Sequence, residues 1–122
     1  MIWLVGLGGM VGSMLRYFCH LLINRYFPST FPWGAFFVNI TGCFFIGVIF
    51  GLSSKGSNIS PEWKLFLATG FCGGFTTFSA FSLESMLLLQ NGNYLNFSIY
   101  TIASVALGLT ATIGGFMLMK MA

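Results

Sequence analysis

Residues 70–82 decide the fold, because this stretch, GFCGGFTTFSAFS, interrupts an apolar run long enough to cross a membrane. Two adjacent glycines, Gly73 and Gly74, precede two β-branched threonines, and each glycine lowers helix propensity by about 1 kcal/mol. The pattern predicts that the third helix breaks in mid-membrane, where irregular backbone must be covered by protein or line a polar cavity. Such a break frees carbonyl oxygens that can hold a cation. A gently kinked helix, with glycines that serve packing, is the alternative.

The composition of the whole chain indicates that its surroundings are lipid. Of 122 residues, 57% are hydrophobic, and only five Lys or Arg and two Asp or Glu carry a formal charge. A soluble domain of this size would expose apolar patches that aggregate. The net charge of +3 is spread along the chain without a basic patch, which excludes nucleic acid as a partner. We expect a multi-pass protein of the cell (inner) membrane, surrounded by the lipid bilayer.

Apolar runs of about 20 residues, the length that crosses a bilayer, divide the chain into four parts. We predict an all-α membrane protein with four transmembrane helices in a single domain, residues 1–122, spanning 2–23, 33–53, 63–89 and 94–119. The first span lacks the basic start and the cleavage site of a secretion signal. We therefore expect it to remain in the mature protein.

Turn and capping residues separate the spans. Ser60-Pro61-Glu62 has the composition of a helix start, with Ser as the N-cap and Pro in the first position. An even number of spans places three lysines on one side against Arg25 on the other; they are Lys55, Lys64 and Lys120. Orientation follows the distribution of Lys and Arg, and this bias is weak. Insertion in both directions, and with it antiparallel pairing, is therefore open.

Phenylalanines recur through the third span at steps of four, three and three, at positions 71, 75, 78 and 81. This spacing places the rings on one helical face, interleaved with Thr77, Ser79 and Ser82. Aromatic rings have electropositive edges, so the stripe can turn those edges toward an anion. The alternative is an ordinary core or lipid-facing stripe.

Hydrogen-bonding side chains also interrupt the second and fourth spans. Asn39 lies about six residues into the second span, where its amide either donates to a ligand or bonds to another helix. The fourth span places Thr101, Ser104, Gly108 and Thr112 on one face. That face either packs closely against another helix or lines a hydrated path.

Two charges lie within the spans, Arg16 in the first and Glu84 in the third. At 1.5 Å per residue their depths agree to within roughly 6 Å, so they are plausible partners. An intramembrane charge is by default a functional hypothesis. A purely structural pair, or an Arg that reaches the membrane surface, is the alternative.

The chain resembles the Fluc/CrcB family of fluoride ion channels. The resemblance rests on three groups of residues: Gly8-Gly9, Gly12 and Arg16-Tyr17 in the first span; Phe37-Val38-Asn39 and Gly42 in the second; and the ten consecutive residues 70–79 in the third. The fourth span matches only through its polar face.

This resemblance implies a dual-topology homodimer of antiparallel subunits, with two fluoride pores along the interface and a sodium ion on the twofold axis. The backbone carbonyls of Gly73 and Thr76 would hold the structural Na⁺, two copies supplying four hard oxygen ligands. Phe78, Phe81 and Asn39 would line the pores.

The same resemblance places Ser79 on a polar track, which the hydroxyls of Ser104 and Thr112 would continue. Ala80 departs from the pattern, since some members have a hydroxyl there. Arg16 and Glu84 would serve as structural or vestibule charges. The implied function is passive export of fluoride, which lowers the cytoplasmic fluoride concentration.

Other classes of function fit the sequence less well. A small proton-coupled exporter of hydrophobic cations would also have four helices, but it needs a titratable acid in its path, and Arg16 would repel cations. A non-transporting assembly subunit would use its polar residues only for packing between helices.

Enzyme activity is not expected, because one histidine and two acids form no acid–base pair. Three scattered cysteines indicate reduced thiols and neither disulfides nor zinc.

Overall fold

The computed structural model describes residues 1–27, 31–54 and 60–121. Parts of the predicted connections, including Pro28, Ser29 and Lys55, lie outside the described residues. The helical elements are α1 (Ile2–Tyr26), α2 (Trp33–Ser54), α3 (Pro61–Lys64), a π-helical segment (Leu65–Cys72), α4 (Gly73–Phe75), α5 (Phe78–Gln90) and α6 (Tyr94–Met121).

Four helical spans are long and apolar enough to cross a membrane, which confirms the predicted all-α membrane architecture at this level. They cover Ile2–Tyr26, Trp33–Ser53, Pro61–Gln90 and Tyr94–Met121. The first extends three residues beyond the predicted end at 23, because α1 continues through the polar residues Asn24 and Arg25. We call the end at which α1 starts the first end of the molecule, and the opposite end the second end.

Local residues fix the ends of several helices as the sequence predicted. The Ser60 side chain accepts a hydrogen bond of 3.3 Å from the Trp63 N–H and so caps α3, with Pro61 in the first turn. Between α5 and α6 the chain turns at Gly92, whose φ of +75° favours glycine. These caps and turns bring the four spans back and forth across the bundle.

The third span changes its backbone geometry twice. Eight residues of π-helix lead into α4, which ends at Phe75. Thr76 and Thr77 then have extended dihedral angles, φ −118°, ψ 130° and φ −132°, ψ 141°, before α5 begins at Phe78. The Thr77 hydroxyl accepts a 3.2 Å hydrogen bond from the Ala80 N–H and so caps α5. The extended conformation falls on the β-branched residues, while Gly73 keeps helical angles.

Glycines allow the helices to approach each other at backbone distance. A Cβ on Gly12 of α1 would clash with the Phe71 carbonyl and lie 2.9 Å from the Phe75 nitrogen. A Cβ on Gly47 of α2 would clash with the Thr112 carbonyl of α6. A Cβ on Gly8 or on Gly51 would likewise meet the backbone of the neighbouring helix, so these four glycines serve packing within one subunit.

Candidate functional site

A groove of about 250 Å³ lies between α2, α6 and the extended step before α5. We call it the Asn39 groove. It brings together four residues that the sequence predicted for a fluoride pathway, Asn39, Phe78, Phe81 and Ser104. Its remaining lining residues are Cys43, Thr76, Thr77 and Val105. Three helical spans thus contribute to one cleft, whose mostly apolar lining contains a few polar side chains.

The amide of Asn39 is positioned by α2 and left available. Its neighbour Val38 is buried in the subunit core at 2% exposure, while Asn39 is half-buried at the groove. Within the described part of the chain no hydrogen bond engages the Asn39 side chain. A half-buried amide with two unused N–H donors can bind a small anion in place of water.

Phe78 and Phe81 lie at the start of α5, the helix end that the Thr77 hydroxyl caps. Their ring centroids are 5.8 Å apart and tilted by 43°. Phe78 is 80% exposed, whereas Phe81 is half-buried and lies 5.3 Å from the Tyr100 ring. One ring of the pair is anchored in the subunit, and the other projects outward at the groove.

Two hydroxyls of α6 are buried beside these rings. Ser104 is 9% exposed and Tyr100 is 0% exposed. Neither hydroxyl has a hydrogen-bond partner among the described residues. Buried polar atoms are normally satisfied, so these two groups are the uncommon feature of the site.

Sequence reasoning missed Tyr100, although a signal was present. Tyr100 precedes Ser104 by four residues and therefore shares its helical face with Gly108 and Thr112. The predicted face starts at Thr101, three residues before Ser104, and Tyr100, four residues before Ser104, belongs to the same face. The Thr101 hydroxyl donates a 2.8 Å hydrogen bond to the Phe97 carbonyl and so satisfies its own helix.

Two predicted pathway residues are not brought into the Asn39 groove. Ser79 is exposed and does not line it. Thr112 lines a separate groove of about 230 Å³ together with Ile46, Gly47, Phe50, Ile113 and Phe116. The Thr112 hydroxyl donates a 3.0 Å hydrogen bond to the Gly108 carbonyl. Its proton is therefore used within α6 and is not available to a ligand in the groove. We call this second cleft the Phe116 groove.

The predicted cation ligands are Gly73, which lies three residues before the extended step, and Thr76, which is the first residue of that step. The side of Gly73 on which a Cβ would stand is open, with no atom within 4 Å. Because Thr76 and Thr77 leave the helical conformation, carbonyls at the end of α4 lose the donors that a continuing helix would supply. Among the described residues, no cluster of three or more His, Cys, Asp or Glu forms an alternative metal site.

Arg16 binds a different partner from the one that the sequence predicted. Its Nε donates a 3.1 Å hydrogen bond to the Gly74 carbonyl, and no ion pair joins it to Glu84 within the described ranges. The Arg16–Glu84 pair, which the sequence left open, is therefore not formed among the described residues of one subunit. The physical reason is that α4 ends beside Arg16, and a helix end offers both unpaired carbonyls and a negative dipole end to a cation.

Comparisons with known proteins agree with this architecture. The sequence profile described as "CrcB-like protein, Camphor Resistance (CrcB)" matches residues 3–116. The chain belongs to the CrcB family. The family resemblance drawn from the three groups of residues is confirmed.

Similar CrcB proteins carry a functional name. A protein of Flavobacterium psychrophilum is 49% identical over 119 residues, which cover 98% of this chain and 96% of the relative. One from Azobacteroides pseudotrichonymphae is 48% identical and covers 96% and 94%. One from Rhizobium leguminosarum is 46% identical with the same coverage. Each is named a fluoride-specific ion channel, FluC.

Membership of the CrcB family settles two coarse predictions. The family consists of ion channels, so a channel and not an enzyme is the correct class. Four apolar spans and this family together identify a multi-pass membrane protein, located in the inner membrane in bacteria.

Proposed function

We propose that this CrcB protein is a fluoride-selective channel through which fluoride leaves the cell passively, which lowers the cytoplasmic fluoride concentration. The observation that carries the proposal is the Asn39 groove, a volume of about 250 Å³ whose lining residues include Asn39, Phe78, Phe81 and Ser104. The names of the relatives as fluoride-specific ion channels support the choice of ion.

The chemistry of the groove suits a small, strongly hydrated anion. A conducting path must replace the water around the ion without binding it so tightly that it cannot leave. The Asn39 N–H groups and the Ser104 hydroxyl supply donors, while the edges of Phe78 and Phe81 supply weaker positive potential. The residues that line the groove carry no charge, so nothing there traps an anion by a full Coulomb attraction.

Two antiparallel copies would complete the pathway. Phe78 projects from the surface at 80% exposure, and a ring so exposed beside an open groove needs a second wall to form a closed pore. The small Lys and Arg bias permits insertion in both directions. An antiparallel homodimer would contain two Asn39 grooves, one from each subunit, and would therefore have two pores.

A structural Na⁺ would lie at the extended step on the twofold axis. The carbonyl oxygens of Gly73 and Thr76 from the two subunits would hold it, and carbonyl oxygens are the hard ligands that such a cation prefers. The open side of Gly73 and the extended conformation of Thr76 support this assignment. When bound, the ion supplies positive charge that holds the two breaks together.

Fluoride efflux from liposomes tests the proposed function directly. Purified protein is reconstituted with trapped fluoride, and efflux is followed with a fluoride electrode for the native chain and for Phe78→Ile, Phe81→Ile and Asn39→Asp. Loss of a ring edge is expected to slow efflux about tenfold. Phe18→Ile is the matched control, since Phe18 is an exposed ring on α1 outside both grooves. Unchanged efflux in all three groove variants would remove these residues from the pathway.

A further inference from the structure

The Phe116 groove differs from the Asn39 groove in having no free donor in its wall. Five of its six lining residues are Ile, Phe or Gly, and the sixth, Thr112, has committed its hydroxyl to the Gly108 carbonyl. Ile113 is 61% exposed and Phe50 is 43% exposed, so the groove opens on the outer surface of the subunit. Its chemistry suits a hydrocarbon chain.

Two ammonium groups stand on the aromatic rings of this groove. Lys64 Nζ lies 4.4 Å from the centroid of the Phe50 ring, and Lys120 Nζ lies 5.7 Å from that of Phe116. The two lysines come from different helices, α3 and α6, and both lie toward the first end of the molecule. Cation–π contact of this kind holds both charges beside the groove.

Neither lysine has an anionic partner among the described residues. The chain has only two acids, Glu62 and Glu84. Glu62 lines a different groove with Leu4, Trp63 and Phe66. Glu84 lies in α5 toward the second end. Two positive charges therefore remain available to an anion at the mouth of an apolar cleft.

The residues of the Phe116 groove lie at increasing depth below the first end of the molecule, as the headgroup and acyl chains of a phospholipid do. Phe50 is four residues from the end of α2 and Phe116 five from the end of α6, so the rings lie about 6 and 7.5 Å below the first end. Ile46 and Thr112 lie one helical turn deeper, about 6 Å further. The lysine charges therefore lie at the level of the lipid headgroups, and the apolar part of the Phe116 groove lies at the level of the acyl chains.

We propose that the Phe116 groove binds an anionic phospholipid, with one acyl chain along Ile46 and Ile113 and its phosphate on Lys64 and Lys120. Each basic residue near an anionic lipid surface raises affinity about fivefold. The pair is therefore expected to favour an anionic over a zwitterionic lipid by about 30-fold. The site lies apart from the Asn39 groove, so the proposal does not depend on fluoride conduction.

The contribution of the Lys64 and Lys120 charges to lipid binding is tested by native mass spectrometry of the full-length protein with phosphatidylglycerol or phosphatidylcholine. The native chain is expected to retain phosphatidylglycerol in preference to phosphatidylcholine, and the double variant Lys64→Gln, Lys120→Gln is expected to lose about 30-fold of that preference. Arg25→Gln, which removes an exposed charge at the second end, is the matched control and keeps the preference. An undiminished preference in the double variant, or an equal loss in Arg25→Gln, overturns the proposal.

The groove itself is tested by filling it. Ile113→Trp occupies the cleft and is expected to release bound phosphatidylglycerol, whereas Ile102→Trp, at an exposed α6 position outside the groove, retains it. Size-exclusion chromatography of both variants reports folding and subunit association. If Ile113→Trp separates the subunits and lipid retention is unaffected, the groove is a contact between copies of the chain and the lipid assignment is wrong.

Discussion

The Asn39 groove and the Phe116 groove are both built on α2 and α6, yet they have opposite chemistry. In the first, the Asn39 amide and the Ser104 hydroxyl have no partner among the described residues. In the second, the Thr112 hydroxyl is bonded to its own helix and glycine brings the backbones into contact. Of the two grooves, only the Asn39 groove therefore has side-chain donors without a partner among the described residues.

The largest effect is expected from placing a negative charge in the Asn39 groove. Asn39→Asp replaces an amide that donates with a carboxylate that repels fluoride, and two like charges about 4 Å apart cost about 4 kcal/mol near a protein surface. Fluoride efflux from liposomes should fall at least about 100-fold. Efflux within twofold of the native rate would mean that fluoride does not pass Asn39.

The comparison between the grooves is sharpened by removing one hydroxyl from each. Ser104→Ala takes away an uncommitted donor, and a hydrogen bond to a charged group contributes about 1.5–3 kcal/mol. Efflux is expected to fall about tenfold or more. Thr112→Val removes a hydroxyl of similar depth that is already bonded to Gly108, and efflux should stay within twofold. A larger loss in Thr112→Val than in Ser104→Ala would reverse the assignment of the two grooves.

The seam beside the Phe116 groove is tested through its glycine. Gly47→Ala would drive a Cβ into the Thr112 carbonyl, and overpacking of this kind costs about 1–3 kcal/mol. Thermal unfolding in detergent should show a lowered midpoint. Gly114→Ala on α6, which meets no atom within 4 Å, is the control and should not lower the midpoint, because Ala favours the helix over Gly by about 1 kcal/mol. Equal midpoints for both variants would show that the helices are not in backbone contact at Gly47.

The smallest effect is expected from the embedded charges. Arg16→Gln loses the hydrogen bond to the Gly74 carbonyl and should lower stability by about 1–2 kcal/mol, since the other end of that bond is a helix carbonyl. A charge exchange, Arg16→Glu with Glu84→Arg, should restore nothing relative to the single variants, because the two residues are not paired within the subunit. Recovery of stability in the double variant would show that they do interact.

Much of the architecture could be predicted because it depends on local patterns. Apolar length predicted four spans, and the Ser60-Pro61 start was correct because capping uses residues close in sequence. Gly73 and Gly74 lie just before the point at which the backbone becomes extended, at Thr76 and Thr77. Glycine permits a departure from the helix, whereas the β-branched residues determine where it occurs.

Tertiary contacts were harder to predict. Nothing within the first or third span shows that Arg16 faces the end of α4, because that contact depends on how α1 packs against the third span. Tyr100 was missed for the same reason: it lies four residues before Ser104, next to the predicted Thr101, and only packing against Phe81 identifies it as buried. The dimer, the Na⁺ and the direction of fluoride movement stay predictions.

The most direct test of the central claim uses the native thiol that lines the Asn39 groove, Cys43. In a chain with Cys19→Ser and Cys72→Ala, Cys43 is the only thiol, and methyl methanethiosulfonate adds one small group to its Sγ. Mass spectrometry measures the fraction modified, and a fluoride electrode measures efflux from the same liposomes. We expect efflux to fall in proportion to modification. Fully modified protein that still conducts fluoride at the native rate would show that fluoride does not pass through the Asn39 groove.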